Sequence, residues 1–254
     1  MYDIETLPLL GPFWKLWKEN ISDETLHRAE YQMVTWAAKW LFEEKIIADK
    51  STPEEVLKQD DSRILKSLCN LIEEADIIIA HNGNRFDIRI INGRRIKHGL
   101  SPMLPFEQID TYLAAKKAFN LPRYTLKYLA KFLGVEQKKS NSGMPLWNMC
   151  LAGDPEAIQE MYEYNIQDIV VLEEVYLKIR PYIKPHPNLG IYVADNVHSC
   201  HACLSLDIEW MGNYVTYANS YDSYKCKNCG SIGRSRNTSL RTDQKRFLTI
   251  SVPK

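Results

Sequence analysis

The run from Pro155 to Arg180 leaves this chain the fewest choices. After Pro155, no glycine or proline interrupts it. Asp154 offers an N-cap, Pro155 fills the preferred first position, Lys178 and Arg180 sit in the last turn, and Pro181 ends the helix. Ile158, Met161, Tyr162, Ile169, Leu172, Val175, Tyr176 and Ile179 form a broad apolar stripe, so the helix must lie against a core. Tyr164 and Asp168, four apart, stand one turn from each other on one face. Asp168 lies among Ile166, Ile169 and Val170, at the edge of buried surface. A carboxylate there needs a partner.

Two other acidic spots offer one. Asp3 and Glu5 are two apart, so in a strand they point side by side from one face. Like charges so placed repel unless a cation lies between them. Ala75 to Asn82 reads as a short β-branched strand buried in a parallel sheet, ending in Asn82-Gly83-Asn84-Arg85-Phe86-Asp87, a turn into a helix. Asp87 thus stands just beyond the carboxyl end of a strand, where open α/β sheets place their sites. Each spot also has a plain structural reading: an exposed strand end for Asp3 and Glu5, a helix cap for Asp87, a buried hydrogen-bonded pair for Tyr164 and Asp168. Taken together, four carboxylates and a tyrosine from three segments point to a hard divalent cation held by oxygen, Mg²⁺ or Mn²⁺.

Asp3-x-Glu5, Asn82-x3-Phe86-Asp87 and Tyr164-x3-Asp168, in that order, resemble the three exonuclease motifs of the DEDD (DnaQ-like) superfamily in its tyrosine-bearing branch. The same motifs mark the proofreading domains of family B DNA polymerases. The resemblance implies a ribonuclease-H-like α/β fold, a mixed sheet flanked by helices. It also implies a 3′→5′ exonuclease that uses two Mg²⁺ or Mn²⁺ ions to release nucleoside monophosphates. On that reading Asp3, Glu5 and Asp168 hold the first ion, Asp3 bridges to the second, Asp87 holds the second, and Tyr164 orients the attacking water. Single-stranded DNA is the implied substrate, with replication or repair proteins as partners; RNA is the alternative polymer. A reading from another class is a non-catalytic nucleic-acid-binding adaptor on a nuclease fold. Against it, every motif carboxylate is present. In its favour is the start of the chain: only Met1 and Tyr2 precede Asp3, where family members carry several apolar residues. The first strand is therefore expected to be short or to lack its beginning.

Pro185-His186-Pro187-Asn188 reads as a boundary that closes a first domain over residues 1–185. Beyond it, Cys200-x2-Cys203 and, 22 residues on, Cys226-x2-Cys229 have the spacing of a four-cysteine zinc ribbon over residues 196–232, with one structural Zn²⁺. The stretch from Ile208 to Tyr224 is rich in Tyr, Val, Trp and Thr and suits a hairpin, and so small a fold needs a metal staple. Four thiolates leave no open position for water, so the chemistry belongs to the first domain. His198 and His201 are expected to be bystanders, and Cys69 and Cys150 core thiols. Residues 233–254 make a basic tail, either an arm or a last strand at Phe247 to Val252.

The formal net charge is zero, which argues against binding nucleic acid by bulk charge. The charge is uneven, however: residues 1–177 carry 21 Lys+Arg against 27 Asp+Glu, and residues 178–254 carry 11 against 5. A basic C-terminal part is therefore available for phosphates. Within the first domain the candidate substrate contacts are Asn82, Arg85 and Phe86 beside Asp87, and Lys127 and Lys131, one turn apart on a helix from Tyr124 to Leu133. The plainer reading of Arg85, Arg89, Arg94, Arg95 and Lys97 is a solvated helix face, and of Lys138 to Gly143 a flexible basic linker. Asp110 reads as a helix cap or a residue that supports the ligands, rather than a ligand itself. Strands are expected at Phe13 to Trp17 and Val34 to Phe42. A helix should open on a Thr52 cap and bury Leu57, Ile64, Leu65, Leu68, Leu71 and Ile72. No apolar run reaches membrane-spanning length and no secretory signal is present, so a cytoplasmic protein without membrane contact is expected.

Overall fold

The computed structural model describes residues 1–12, 21–135, 143–193 and 197–250. It divides into two compact units, Met1–Tyr176 and Leu177–Lys254.

In the first unit β1 (Tyr2–Leu7), β2 (Gln32–Lys39) and β3 (Ile46–Lys50) form an antiparallel sheet in that order. Beyond β1, β4 (Ile77–Ala80) pairs in parallel with β5 (Glu107–Asp110). The helices are α1 (Pro53–Leu57), α2 (Ser62–Glu73), α3 (Asp87–Lys97), α4 (Thr111–Ala118), α5 (Leu126–Phe132), α6 (Met144–Leu151) and α7 (Pro155–Ile179). They cover both faces of the strands. On one face Tyr2, Ile4, Trp36 and Ala38 meet Ile64, Leu65, Leu68 and Ile72 of α2, Ile78 of β4 and Ile91 of α3. On the other, Ala37 meets Ile169 and Leu172 of α7, while Leu7 and Val34 meet Leu146 of α6 and Ile158 and Met161 of α7. Each such aliphatic side chain contributes about 1.5–3 kcal/mol on full burial. This is the expected mixed α/β architecture. The alternation of β1 then decides the site: Tyr2 and Ile4 take the α2 side, and Asp3 and Glu5 are left facing α7.

Several boundaries differ from expectation. The second strand runs from Gln32 to Lys39 and is buried on both faces, which is why its sequence alternates only partly. Phe42 lies beyond it at φ 70°, in a turn. The half-buried β3 lacks a strong apolar run and was not expected. Thr52 and Glu55 do form the capping box, with Glu55 N donating to Thr52 Oγ1 at 3.2 Å and Thr52 N to Glu55 Oε2 at 2.8 Å. That helix stops at Leu57, however, and Gln59 at φ 55° separates it from α2. Leu57 is consequently 62% exposed, and Val56 is buried instead.

The solvated face expected on α3 fails for two of its arginines. Arg94 donates twice to the fully buried Asp61, at 2.8 Å each, and Arg95 donates to Ser101 O and Glu73. The strand expected at Phe13 to Trp17 and the basic loop at 138–142 lie outside the described residues.

The second unit is built on β6 (Ile208–Val215), β7 (Ser220–Cys226) and β8 (Ile232–Arg234), antiparallel and in that order, followed by a short α8 (Thr242–Lys245). The hairpin expected between Ile208 and Tyr224 is present. The described part of the expected last strand, Phe247–Ile250, is not a strand and its apolar side chains are exposed. Among the described residues no helix is long and apolar enough to cross a membrane.

Candidate active site

Three elements deliver the acidic residues. In the β1–β2 ladder Asp3 stands opposite Ala37 and Glu5 opposite Thr35, and the register shifts immediately after Glu5. Such bulges re-aim side chains beside sites. On the helix that crosses this face, Asp168 presents its carboxylate so that oxygens of Asp3, Glu5 and Asp168 all lie within 4.8 Å of one another. Tyr164, one turn earlier, hydrogen-bonds Asp168.

Asp87 arrives by a different route. Asn82 adopts φ 66°, a left-handed conformation that Asn tolerates, and Gly83 follows it. A Cβ on Gly83 would meet the Ala80 Cβ at 2.6 Å and the Gln108 Nε2 at 2.7 Å, so only glycine fits. Asp110 locks this turn by accepting from Asn82 N at 3.0 Å and Asn84 N at 3.2 Å, and it caps α4 by accepting from Leu113 N at 3.1 Å. That is the cap role its sequence position suggested. Asp87, buried at the start of α3, then accepts from Ile4 N at 3.3 Å, which ties it to the backbone between Asp3 and Glu5.

The electrostatics are those of buried carboxylates that repel one another. Burial first, then the charges of Asp87, Glu5 and Asp168, push the Asp3 carboxyl well above its usual range. Burial, Asp168 and Asp87 push Glu5 up to about 8. Burial raises Asp87 to about 7 against its backbone hydrogen bonds, and Asp168 to about 6 against the Tyr164 hydrogen bond. Tyr164 is itself held above its usual value, by burial and then by Asp168 and Glu5. All-oxygen donors at this spacing fit a hard divalent cation.

Asn165 was not singled out in the sequence. It is fully buried, donates from Nδ2 to Asp3 Oδ2 at 2.7 Å, and accepts from Thr35 Oγ1 at 3.2 Å. Its signal was a polar residue at helical spacing on the apolar stripe, between Met161 and Ile169. Of the proposed substrate contacts, Arg85 and Phe86 are exposed beside Asp87 and line a groove on α3 with Tyr31 and Arg89. Lys127 and Lys131 are exposed on α5, and Asn82 is half-buried in its turn. Tyr124 is structural: its hydroxyl donates to Phe119 O at 2.9 Å.

In the second unit the sulfurs of Cys200, Cys203, Cys226 and Cys229 all lie within 4.8 Å of one another, with Cys200–Cys229 and Cys203–Cys226 at 3.6 Å. A tetrahedral ion about 2.3 Å from each sulfur sets sulfurs at nearly this separation, and a disulfide would require about 2.05 Å. The cluster can hold zinc. His201 bonds the Tyr224 hydroxyl and His198 packs on Trp210, so neither joins it. Cys69 and Cys150 are buried core thiols, as expected.

The fold and its acidic site define a ribonuclease-H-like protein. Residues 34–180, more than half of the chain, match the RNase_H superfamily, and the chain belongs to that superfamily, whose fold is a nuclease fold. Among solved structures it is similar to the family B DNA polymerase from the hyperthermophilic archaeon Pyrobaculum calidifontis, with a TM-score of 0.48 and 14% identity over 71% of this chain and 25% of the polymerase. None of the curated proteins matches it.

Proposed function

We propose that the chain is a metal-dependent 3′→5′ exonuclease of the tyrosine-bearing DEDD branch, acting on single-stranded DNA in the cytoplasm alongside replication or repair proteins. One observation carries the reading: three carboxylates from β1 and α7 converge within 4.8 Å, where burial and mutual repulsion push each above its ordinary range, and a cation between them would relieve that repulsion. Asp3, Glu5 and Asp168 would hold one Mg²⁺ or Mn²⁺, and Asp3 and Asp87 would share a second. When bound, the ions supply an activated water and neutralise charge on the leaving oxygen.

The chain's own residues do the rest. Tyr164 stays protonated at neutral pH, so its hydroxyl orients water and does not abstract a proton. Asn165 fixes the rotamer of Asp3. Arg85 attracts phosphate and the exposed Phe86 ring stacks on a terminal base, with Asn82, Lys127 and Lys131 as further contacts. The nuclease domain spans residues 1–185. A zinc ribbon follows at 196–232, with one structural Zn²⁺ on Cys200, Cys203, Cys226 and Cys229, and then a basic tail at 233–254.

Single-stranded DNA and RNA, each labelled at the 5′ or the 3′ end and incubated with Mn²⁺, test direction and polymer together. A 3′→5′ exonuclease frees a 3′ label at once as a mononucleotide and leaves a shrinking ladder on the 5′-labelled strand. Internal cuts, or a ladder on the 3′-labelled strand, would contradict the direction. Cleavage of RNA alone would replace the polymer.

A further inference from the structure

The three-stranded sheet of the second unit has two unlike faces. One carries Tyr224 and Cys226, buried in the cysteine core, with Trp210 paired to Tyr224. On the other, Tyr214 stands directly opposite Tyr221, and Ser223 lies between Gly212 and Arg234. Lys225 on the same face is flanked by Glu209 and Ile232. Tyr214 is 53% exposed, and Lys225 and Arg234 are exposed. The Arg234 guanidinium lies over the Tyr221 ring, 3.7 Å from its centroid. Gly212 has open space where a side chain would stand, so the middle of the face is a shallow trough between aromatic and basic groups. Tyr217, at the hairpin end, is fully exposed.

We infer that this face binds single-stranded nucleic acid, with a base stacked on the open Tyr214 ring, Tyr221 holding the Arg234 guanidinium in place, and phosphates on Arg234 and Lys225. Charge favours a polyanion: Glu209 is the carboxylate on the face against Lys225 and Arg234, and residues 178–254 carry 11 Lys+Arg against 5 Asp+Glu. Aromatic faces beside cations are the usual equipment for holding unpaired bases, because every base offers a π-face. A duplex hides those faces, so the strand must be single. The tyrosine pair borders Ser223 and Gly212 on this face rather than an apolar pocket, which suits stacking better than the burial of a protein side chain. The inference does not depend on the nuclease reading.

The test uses the full chain carrying Asp168→Asn, so that a probe stays intact. A fluorescent oligothymidylate of about 16 nucleotides is titrated at several salt concentrations with zinc retained. Tyr214→Ala and Tyr221→Ala should each weaken binding about tenfold, and the corresponding Phe variants should stay within about twofold. Arg234→Gln should lower the salt slope by about 0.7, one phosphate contact on a single strand. Zinc content reports the integrity of the ribbon. Zinc-loaded Ala variants that bind like the parent would overturn the inference and leave the face to a protein partner. Should the Ala variants lose zinc, Arg234→Gln decides, and an unchanged salt slope is then the overturning result.

Discussion

Asn165 Nδ2 donates to Asp3 Oδ2 at 2.7 Å, so a residue of the long helix sets the orientation of a carboxylate on the first strand. The same amide accepts from Thr35 on the neighbouring strand, which leaves it one rotamer. Asn165→Ala should therefore keep the fold but free Asp3 to turn. Loss of such a supporting contact costs about 10–100-fold in metal affinity or activity. A Mn²⁺ titration of hydrolysis should show the loss as a weaker half-saturation, and an unchanged titration would make Asn165 a packing residue only.

The carboxylate cluster should make the metal-free protein sensitive to pH. Glu5, Asp87 and Asp168 have folded values of about 8, 7 and 6, all above their ordinary values near 4. The stability they leave intact is fully present below about pH 4 and is lost as pH rises through those folded values. Between about pH 6 and 8, metal-free wild type should lose unfolding temperature faster than Asp168→Asn, which carries one repelling group fewer. Saturating Mn²⁺ should flatten or reverse the wild-type slope, because the ion binds only ionised carboxylates. Equal slopes for the two proteins would show that the cluster stores no repulsion.

Tyr164→Phe removes both the hydroxyl proposed to orient water and the hydrogen bond that lowers Asp168. Turnover should fall on the order of 10²-fold, while Mn²⁺ affinity well above neutral pH stays nearly unchanged. The pH at which Mn²⁺ binds should move upward, because Asp168 holds its proton more tightly. Calorimetry at several pH values separates these effects. Full activity in the Phe variant would remove Tyr164 from the chemistry.

The second unit has a small core of Cys200, Ala202, Tyr224 and Cys226. Cys226→Ser should cost it the ion and with it the fold, since such sites fold through metal binding worth about 10–16 kcal/mol. Hydrogen exchange should show β6–β8 losing protection. Unchanged protection there would mean that the sheet stands without metal.

What could be read from the sequence was whatever had local causes. The Thr52 cap on Glu55 and the Asp110 cap on Leu113 act within three residues, and both followed from that; the hold of Asp110 on the Asn82 turn, 26–28 residues away, did not. The spacing of Asp3 and Glu5, and of Tyr164 and Asp168, fixes a shared face on a strand and on a helix, and this is how they meet. The misses depend on tertiary partners. Arg94 and Arg95 looked solvated because Asp61 and Glu73, which pair with them, come from another helix and its cap. Leu57 looked buried until Gln59 broke the helix. Asn165 needs both Asp3 and Thr35 in place before its role appears.

The central claim is that Asp3, Glu5 and Asp168 form a metal-dependent phosphodiester-cleaving site. Single-turnover hydrolysis of a labelled single strand by wild type and Asp168→Asn, each with and without Mn²⁺, tests it most directly. Wild type should hydrolyse only with Mn²⁺, and a folded Asp168→Asn protein should cleave at least about 10³-fold more slowly. Equal cleavage by the two proteins, or a wild type inactive on both DNA and RNA with Mn²⁺ bound, would contradict it.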